Sequence, residues 1–166
     1  MENSPPRRFA IVTHPSQPQV FDGAQELAKR LLSLGAESVS VHTIYEPTLK
    51  EAIDNKSIDI LVALGGDGTM LRAGHLVAPS GIPVLGINRG RFGFLMEINE
   101  NDCFDRMEQL MEGEYRLENR MMLHVVHQRD GETQGEWNVI NEVVVCRGQY
   151  VRPIQVKASL EGYLLA

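Results

Sequence analysis

Apolar residues change their spacing several times along the chain, and each change marks an element. Phe9 to Thr13 is a short apolar run closed by Pro15 and Pro18, which predicts a strand and a loop. Ala24, Leu27, Ala28, Leu31, Leu32 and Leu34 then recur every three or four positions, with Lys29 and Arg30 late in the segment and Gly35 behind it. That spacing and that ending predict a helix with a glycine stop. Val39, Val41 and Ile44 alternate with polar residues over 38–44, a second strand, and Leu49 to Asn55 is a brief helix at most. Ile58 to Leu64 is apolar at nearly every position, as expected of a strand covered on both faces. Thr69 to Ala78 predicts the next helix, Pro79-Ser80-Gly81 its stop, and Pro83 to Ile87 a fourth buried strand. This alternation predicts an α/β fold with a Rossmann-like parallel sheet, in which right-handed crossovers set the strand ends and their loops along one edge.

The pattern changes after about residue 100. Phe104, Met107, Leu110 and Met111 keep helical spacing within 103–112, and Gly113 ends them. Strands follow without helices between them. Met121 to Val126 and Trp137 to Cys146 flank the turn-forming Arg129-Asp130-Gly131-Glu132, a hairpin signature. Ile154 to Leu160 predicts another strand, Glu161-Gly162 its turn, and Tyr163 to Ala166 the returning strand. Residues 1–115 are thus expected to form an α/β domain and 116–166 the start of an incomplete all-β domain. An apolar strand edge left uncovered invites aggregation, so a fragment or a stripped-down second domain is expected.

Composition narrows the classes. With 43% hydrophobic residues in 166, the chain can bury a core. Sixteen basic residues against twenty-two acidic ones give a net charge of -6, without a Lys/Arg block, which argues against polymeric nucleic acid as a partner. No apolar run approaches the roughly 20 residues of a membrane span, and the start lacks the apolar core of a signal peptide. A cytoplasmic protein with no membrane partner is expected. Cys103 and Cys146 have no C-x-x-C or histidine partner at ligand spacing, so they read as two buried thiols and no metal-ligand set emerges.

The chemistry concentrates behind the third strand. Leu64-Gly65-Gly66-Asp67-Gly68-Thr69 empties a buried strand through three glycines into a helix, a setting that suits a phosphate through backbone N–H groups and a helix N-terminus. The plainer reading is a glycine-rich turn with Asp67 or Thr69 as the helix cap. Asp67 is the odd member, because a carboxylate would repel a phosphate unless it handles a metal ion or takes a proton from an attacking hydroxyl. The turn is neither a Walker A loop nor G-x-G-x-x-G.

Two further constellations accompany it. Leu85-Gly86-Ile87-Asn88-Arg89-Gly90-Arg91-Phe92-Gly93-Phe94-Leu95 follows the fourth strand and should open at the same edge. Its arginines can hold phosphates and an exposed Phe ring can stack on a base. Alternatively Phe94 and Leu95 begin a packed element while Arg89 and Arg91 are solvated. Asn141 and Glu142 interrupt the apolar run Val139 to Val145, either as buried polar groups that meet a ligand or as residues of a wet edge strand or bulge.

In this order, G-G-D-G-T at 65–69, L-G-I-N-R-G-R-F-G-F-L at 85–95 and N-E at 141–142 resemble the signature series of NAD kinases. Glu118-Asn119-Arg120-Met121-Met122-Leu123 is similar to the segment that opens the second domain in that family. G-G-D-G alone is shared with diacylglycerol and sphingosine kinases; the loop and the later N-E are far more specific. The resemblance implies phosphorylation of the 2′-hydroxyl of the adenosine ribose of NAD by ATP, or by polyphosphate in some members, with a divalent metal such as Mg. It implies that Asp67 contacts that hydroxyl as general base and that Gly65, Gly66, Gly68 and Thr69 form the nucleotide-binding turn. It adds Asn88, Arg91 and Phe94 around the dinucleotide, and Asn141 and Glu142 as hydrogen-bonding residues across a domain cleft. It also implies a homo-oligomer for the intact protein. The chain stops before the family's T-P-T-G-S-T-A-Y segment, so it is expected to be inactive or nearly so by itself. A non-catalytic nucleotide-binding module and a lipid kinase remain as rival expectations.

Overall fold

The computed structural model describes residues 4–90, 93–146 and 155–165. They fall into two compact units, Met1–Met122 and Leu123–Ala166.

The first unit carries strands β1 (Arg8–Thr13), β2 (Ser38–Thr43), β3 (Ile60–Gly65), β4 (Val84–Asn88) and β5 (Ile98–Asn99), and helices α1 (Pro18–Ser33), α2 (Pro47–Asp54), α3 (Asp67–Val77) and α4 (Cys103–Met111). The five strands form one sheet in the order β2-β1-β3-β4-β5, parallel at every pairing. From β1 the chain steps outward to β2, then crosses to the other side as β3. The loops after β1 and β3 therefore diverge and leave a crevice between them, the usual ligand position in such sheets.

The near-continuous apolar runs of β1 and β3 are explained by helices on both faces. Phe9, Ile11, Ile60, Val62 and Leu64 pack with Val20, Leu27 and Leu31 of α1 and Met107 and Leu110 of α4. Their neighbours Ala10, Val12, Leu61 and Ala63 face the other way, onto Leu49 and Ile53 of α2 and Ala73 and Val77 of α3. Strand side chains alternate between faces, so a strand buried on both sides must be apolar throughout.

One local expectation is corrected, one is met, and one element is added. Pro18 belongs to α1 and not to the preceding loop, because proline's missing N–H is harmless at the first helical turn. α2 is the brief helix expected over 49–55, two turns long, and it too opens on a proline, Pro47. β5 was not foreseen: its two residues pair only with Ile87 and Asn88, too short a stretch to show a period.

In the second unit, β6 (Leu123–Arg129) and β7 (Glu132–Val139) form the expected antiparallel hairpin. Asp130 and Gly131 both have positive φ, 52° and 82°, as a type I′ turn requires. β8 (Ser159–Leu160) and β9 (Tyr163–Leu164) form a shorter hairpin around Glu161-Gly162. The strand expected over 137–146 ends at Val139. Val139 pairs with Leu123, the first residue of β6, so this hairpin offers no ladder partner to the residues beyond it. The strand expected over 154–160 shrinks to Ser159–Leu160; residue 154 lies outside the described residues, and 155–158 have no strand pairing.

Candidate active site at the carboxyl edge of the sheet

Gly65, the last residue of β3, stands opposite Asn88, the last residue of β4, and the Arg89 N–H donates to the Gly65 carbonyl at 2.9 Å. The glycine turn and the glycine-arginine loop therefore leave the sheet side by side, as their positions after parallel neighbouring strands require.

Helix α3 starts at once. Gly66 occupies the cap position in extended conformation with no side-chain cap, and its carbonyl accepts from Thr69 N–H at 2.9 Å and Met70 N–H at 3.1 Å. Neither Asp67 nor Thr69 is the cap, which corrects the plainer sequence reading. Thr69 is buried, and its side chain packs so closely on β3 that a Cβ at Gly65 would lie 2.7 Å from its Oγ1. Beside Gly66, by contrast, a Cβ would meet nothing within 4 Å, so the backbone is open to approach there. The first N–H groups of a helix have no intrahelical acceptor and lie at the positive end of its dipole. Arg72, one turn on, adds a cation whose Nη1 donates to the Gly68 carbonyl at 2.9 Å; only its four-residue spacing from Gly68 could have signalled it.

Asp67 resolves its own oddity. Its carboxylate oxygens accept from two consecutive backbone N–H groups of the neighbouring loop, Oδ2 from Phe94 at 3.1 Å and Oδ1 from Leu95 at 3.1 Å. The anion is thereby held by the loop after β4, while the uncapped start of α3 keeps donors for a second anion. Phe94 is 99% exposed, so its ring is not part of the core and is free to stack.

The rest of that loop is built for shape. Asn88 is buried, and its Nδ2 donates to the Gly90 carbonyl at 2.9 Å while its Oδ1 has no hydrogen-bond partner among the described residues. Arg89 is ion-paired with Glu100 and lies against Gly23 of α1, so it braces the loop and is not simply solvated. Arg91 lies outside the described residues. Glu97, which the sequence did not single out, accepts from the Gly86 N–H at 2.9 Å, standing in for a longer β5; partial burial holds its carboxyl above the ordinary range despite that bond. Along the same edge, after β1, His14 Nδ1 is 2.6 Å from Ser16 Oγ, and Tyr45 sets its hydroxyl 3.4 Å from His14 Nε2.

Asn141 and Glu142 belong to the second unit. They lie exposed, just past the end of β7, which removes the reading in which a strand buries them. Among the described residues no group of three or more His, Cys, Asp or Glu side chains converges as a metal site, and none of the helices is long and apolar enough to cross a membrane.

Residues 9–115 match the family model described as the ATP-NAD kinase N-terminal domain. The chain is 37% identical over 155 residues to the NAD kinase of Heliobacterium modesticaldum, covering 90% of this chain and 55% of that protein. It is 34% identical over 166 residues to the NAD kinase of Symbiobacterium thermophilum, covering 96% and 58%. It thus spans little more than half the length of these relatives. Among solved structures, yeast NADH kinase complexed with NADH matches with a TM-score of 0.62 at 20% identity, over 82% of this chain and 47% of that one, a likeness of fold. With the family model matched across the parallel sheet and both loops at its edge, the chain belongs to the NAD kinase family.

Proposed function

We propose that this chain supplies the acceptor-activating part of an NAD kinase site, in which a phosphoryl group passes from ATP or polyphosphate to the 2′-hydroxyl of the adenosine ribose of NAD. The observation that carries this reading is the Asp67 carboxylate, anchored by the Phe94 and Leu95 amides beside the uncapped start of α3. In the transfer, Asp67 accepts the hydroxyl proton, the hydroxyl oxygen takes the terminal phosphoryl group, and the shortened donor leaves with the bridging oxygen. Such a reaction asks chiefly for positioning and charge stabilisation. Gly66, Gly68 and the first turn of α3 hold phosphate, Phe94 stacks on a base, and Asn141 and Glu142 bind the dinucleotide. Thr69, packed on Gly65, keeps the turn in shape.

Asp67 is the sole carboxylate of the G-G-D-G-T turn, and among the described residues no group of three or more His, Cys, Asp or Glu side chains converges there, so the turn does not fit a metal held by the protein alone. The divalent cation is part of the nucleotide substrate, as is usual for Mg on a polyphosphate. The family name supports ATP as donor. Two free cysteines fit a cytoplasmic setting. The lipid-kinase alternative is set aside, because the matched family model is that of ATP-NAD kinases.

The test is NADP formation from NAD with ATP, and separately with polyphosphate, by the protein that contains this chain. Replacing Asp67 by Asn is expected to lower kcat by about 100-fold or more, the usual worth of a positioned base, while NAD binding by calorimetry persists. Binding without turnover in the unsubstituted protein would point to a non-catalytic module and overturn the proposal.

A further inference from the structure

Two glycines of the loop after β4 are glycine for different reasons. Gly90 has φ +133°, a conformation other residues avoid, and a Cβ there would meet nothing within 4 Å. At Gly93 the demand is steric. A Cβ at Gly93 would overlap the carboxyl carbon and both oxygens of Asp67. The least costly relief is for the Asp67 side chain to swing away, since its carboxylate is the mobile end of a short side chain. Swinging it away breaks both bonds from Phe94 and Leu95.

We propose that Gly93 is a positioning residue for the Asp67 carboxylate: its missing side chain is the space in which the carboxylate docks onto the Phe94 and Leu95 amides. The catalytic half of this inference rests on the kinase reading above; the structural half does not. A base must stand within about 2.6–3.2 Å of the proton it takes, and a displacement of about 1 Å can slow a reaction about 100-fold. Gly93 therefore governs turnover through Asp67. The role separates it from Gly66 and Gly68, whose backbone is offered to the ligand itself.

The experiment compares the unsubstituted 166-residue chain with G93A, D67A and the double variant. Amide resonances of Phe94 and Leu95 are followed in 1H–15N spectra. G93A and D67A are each expected to move both resonances, and adding G93A to D67A to move them little further, because the overlap no longer exists. Equal displacement by G93A in both backgrounds would overturn the inference. Should G93A alone fail to fold, the double variant is expected to fold, and its failure would overturn the inference as well. In the NADP-forming assay of the whole protein, G93A is expected to lower kcat about 100-fold while KM for NAD stays within about threefold. A raised KM with unchanged kcat would overturn the positioning role. Absence of NADP formation in the unsubstituted protein would sink the kinase reading and the catalytic half here, while the spectra would still decide the Gly93–Asp67 relationship.

Discussion

Asp59 ties the start of β3 to the start of β1 through Arg8: its Oδ1 accepts from Arg8 Nη2 at 2.5 Å and Nε at 3.0 Å. Its Oδ2 takes the backbone N–H groups of Arg7 at 2.9 Å and Arg8 at 2.8 Å. These bonds close the edge of the sheet opposite the glycine turn. Burial pushes the Asp59 carboxyl up, but the Arg8 side chain and the two backbone donors outweigh it and hold the group below its ordinary value. A depressed folded-state value means that the stabilisation is present above the ordinary carboxylate range. It is lost as pH falls through that range toward the folded value. We expect Asp59→Asn to lower stability at neutral pH by about 1 kcal/mol, a charged hydrogen-bond contribution discounted for partial exposure. Urea unfolding from pH 7 down to pH 3 should show the two proteins converging in acid.

Glu97 has the opposite sign. Its carboxyl lies above the ordinary value, chiefly through burial, so it favours the folded state below the ordinary carboxylate range. That contribution disappears as pH rises through the raised folded value. Glu97→Gln retains an acceptor for the Gly86 N–H without the charge. We expect a higher thermal midpoint for this variant at pH 7, with no gain at pH 4; a lower midpoint at pH 7 would contradict the assignment.

The two cysteines should differ in reactivity. Cys103 is buried as expected, and burial pushes its thiol up to about 11, whereas Cys146 is exposed, which corrects the expectation of two buried thiols. The thiolate is the reactive species, and at pH 8 a group titrating there is thiolate to only about one part in a thousand. A thiol reagent is expected to modify Cys146 rapidly in the native chain and Cys103 only after denaturation. Mass spectrometry of the labelled peptides reads the order directly.

Gly65→Ala tests the packing beneath the turn. The new methyl would meet the Thr69 Oγ1 at 2.7 Å and its Cβ at 3.2 Å, against a buried, β-branched side chain with little room to turn. We expect a loss of about 1–3 kcal/mol, the range for overpacked sites, by urea denaturation. Adding Thr69→Ala should recover part of it, since the clashing atoms are then gone.

Much of both units is legible along the chain because the signals are local. Ile58 to Leu64 announces a doubly covered strand by composition alone, and Asp130-Gly131 announces a two-residue hairpin by the backbone angles it tolerates. Pro18 misled for the same reason, since a proline next to a loop looks identical whether it ends the loop or opens a helix. Val143 to Val145 look like strand by propensity, yet ladder pairing depends on where the partner strand begins, and Leu123 sets that limit.

The sequence by itself determined the succession of β1 to β4 with the helices between them, the edge at which their loops meet, and the glycine turn carrying Asp67. These follow from periodicity and from handed crossovers. The tertiary structure alone decided what Asp67 does with its charge: its partners, Phe94 and Leu95, lie 27 and 28 residues away. It likewise assigned Arg89 to Glu100, and Thr69 to the space above Gly65. A hydrogen bond or a steric contact is specified at the ångström scale by two loops arriving together, and neither loop's own sequence encodes the position of the other.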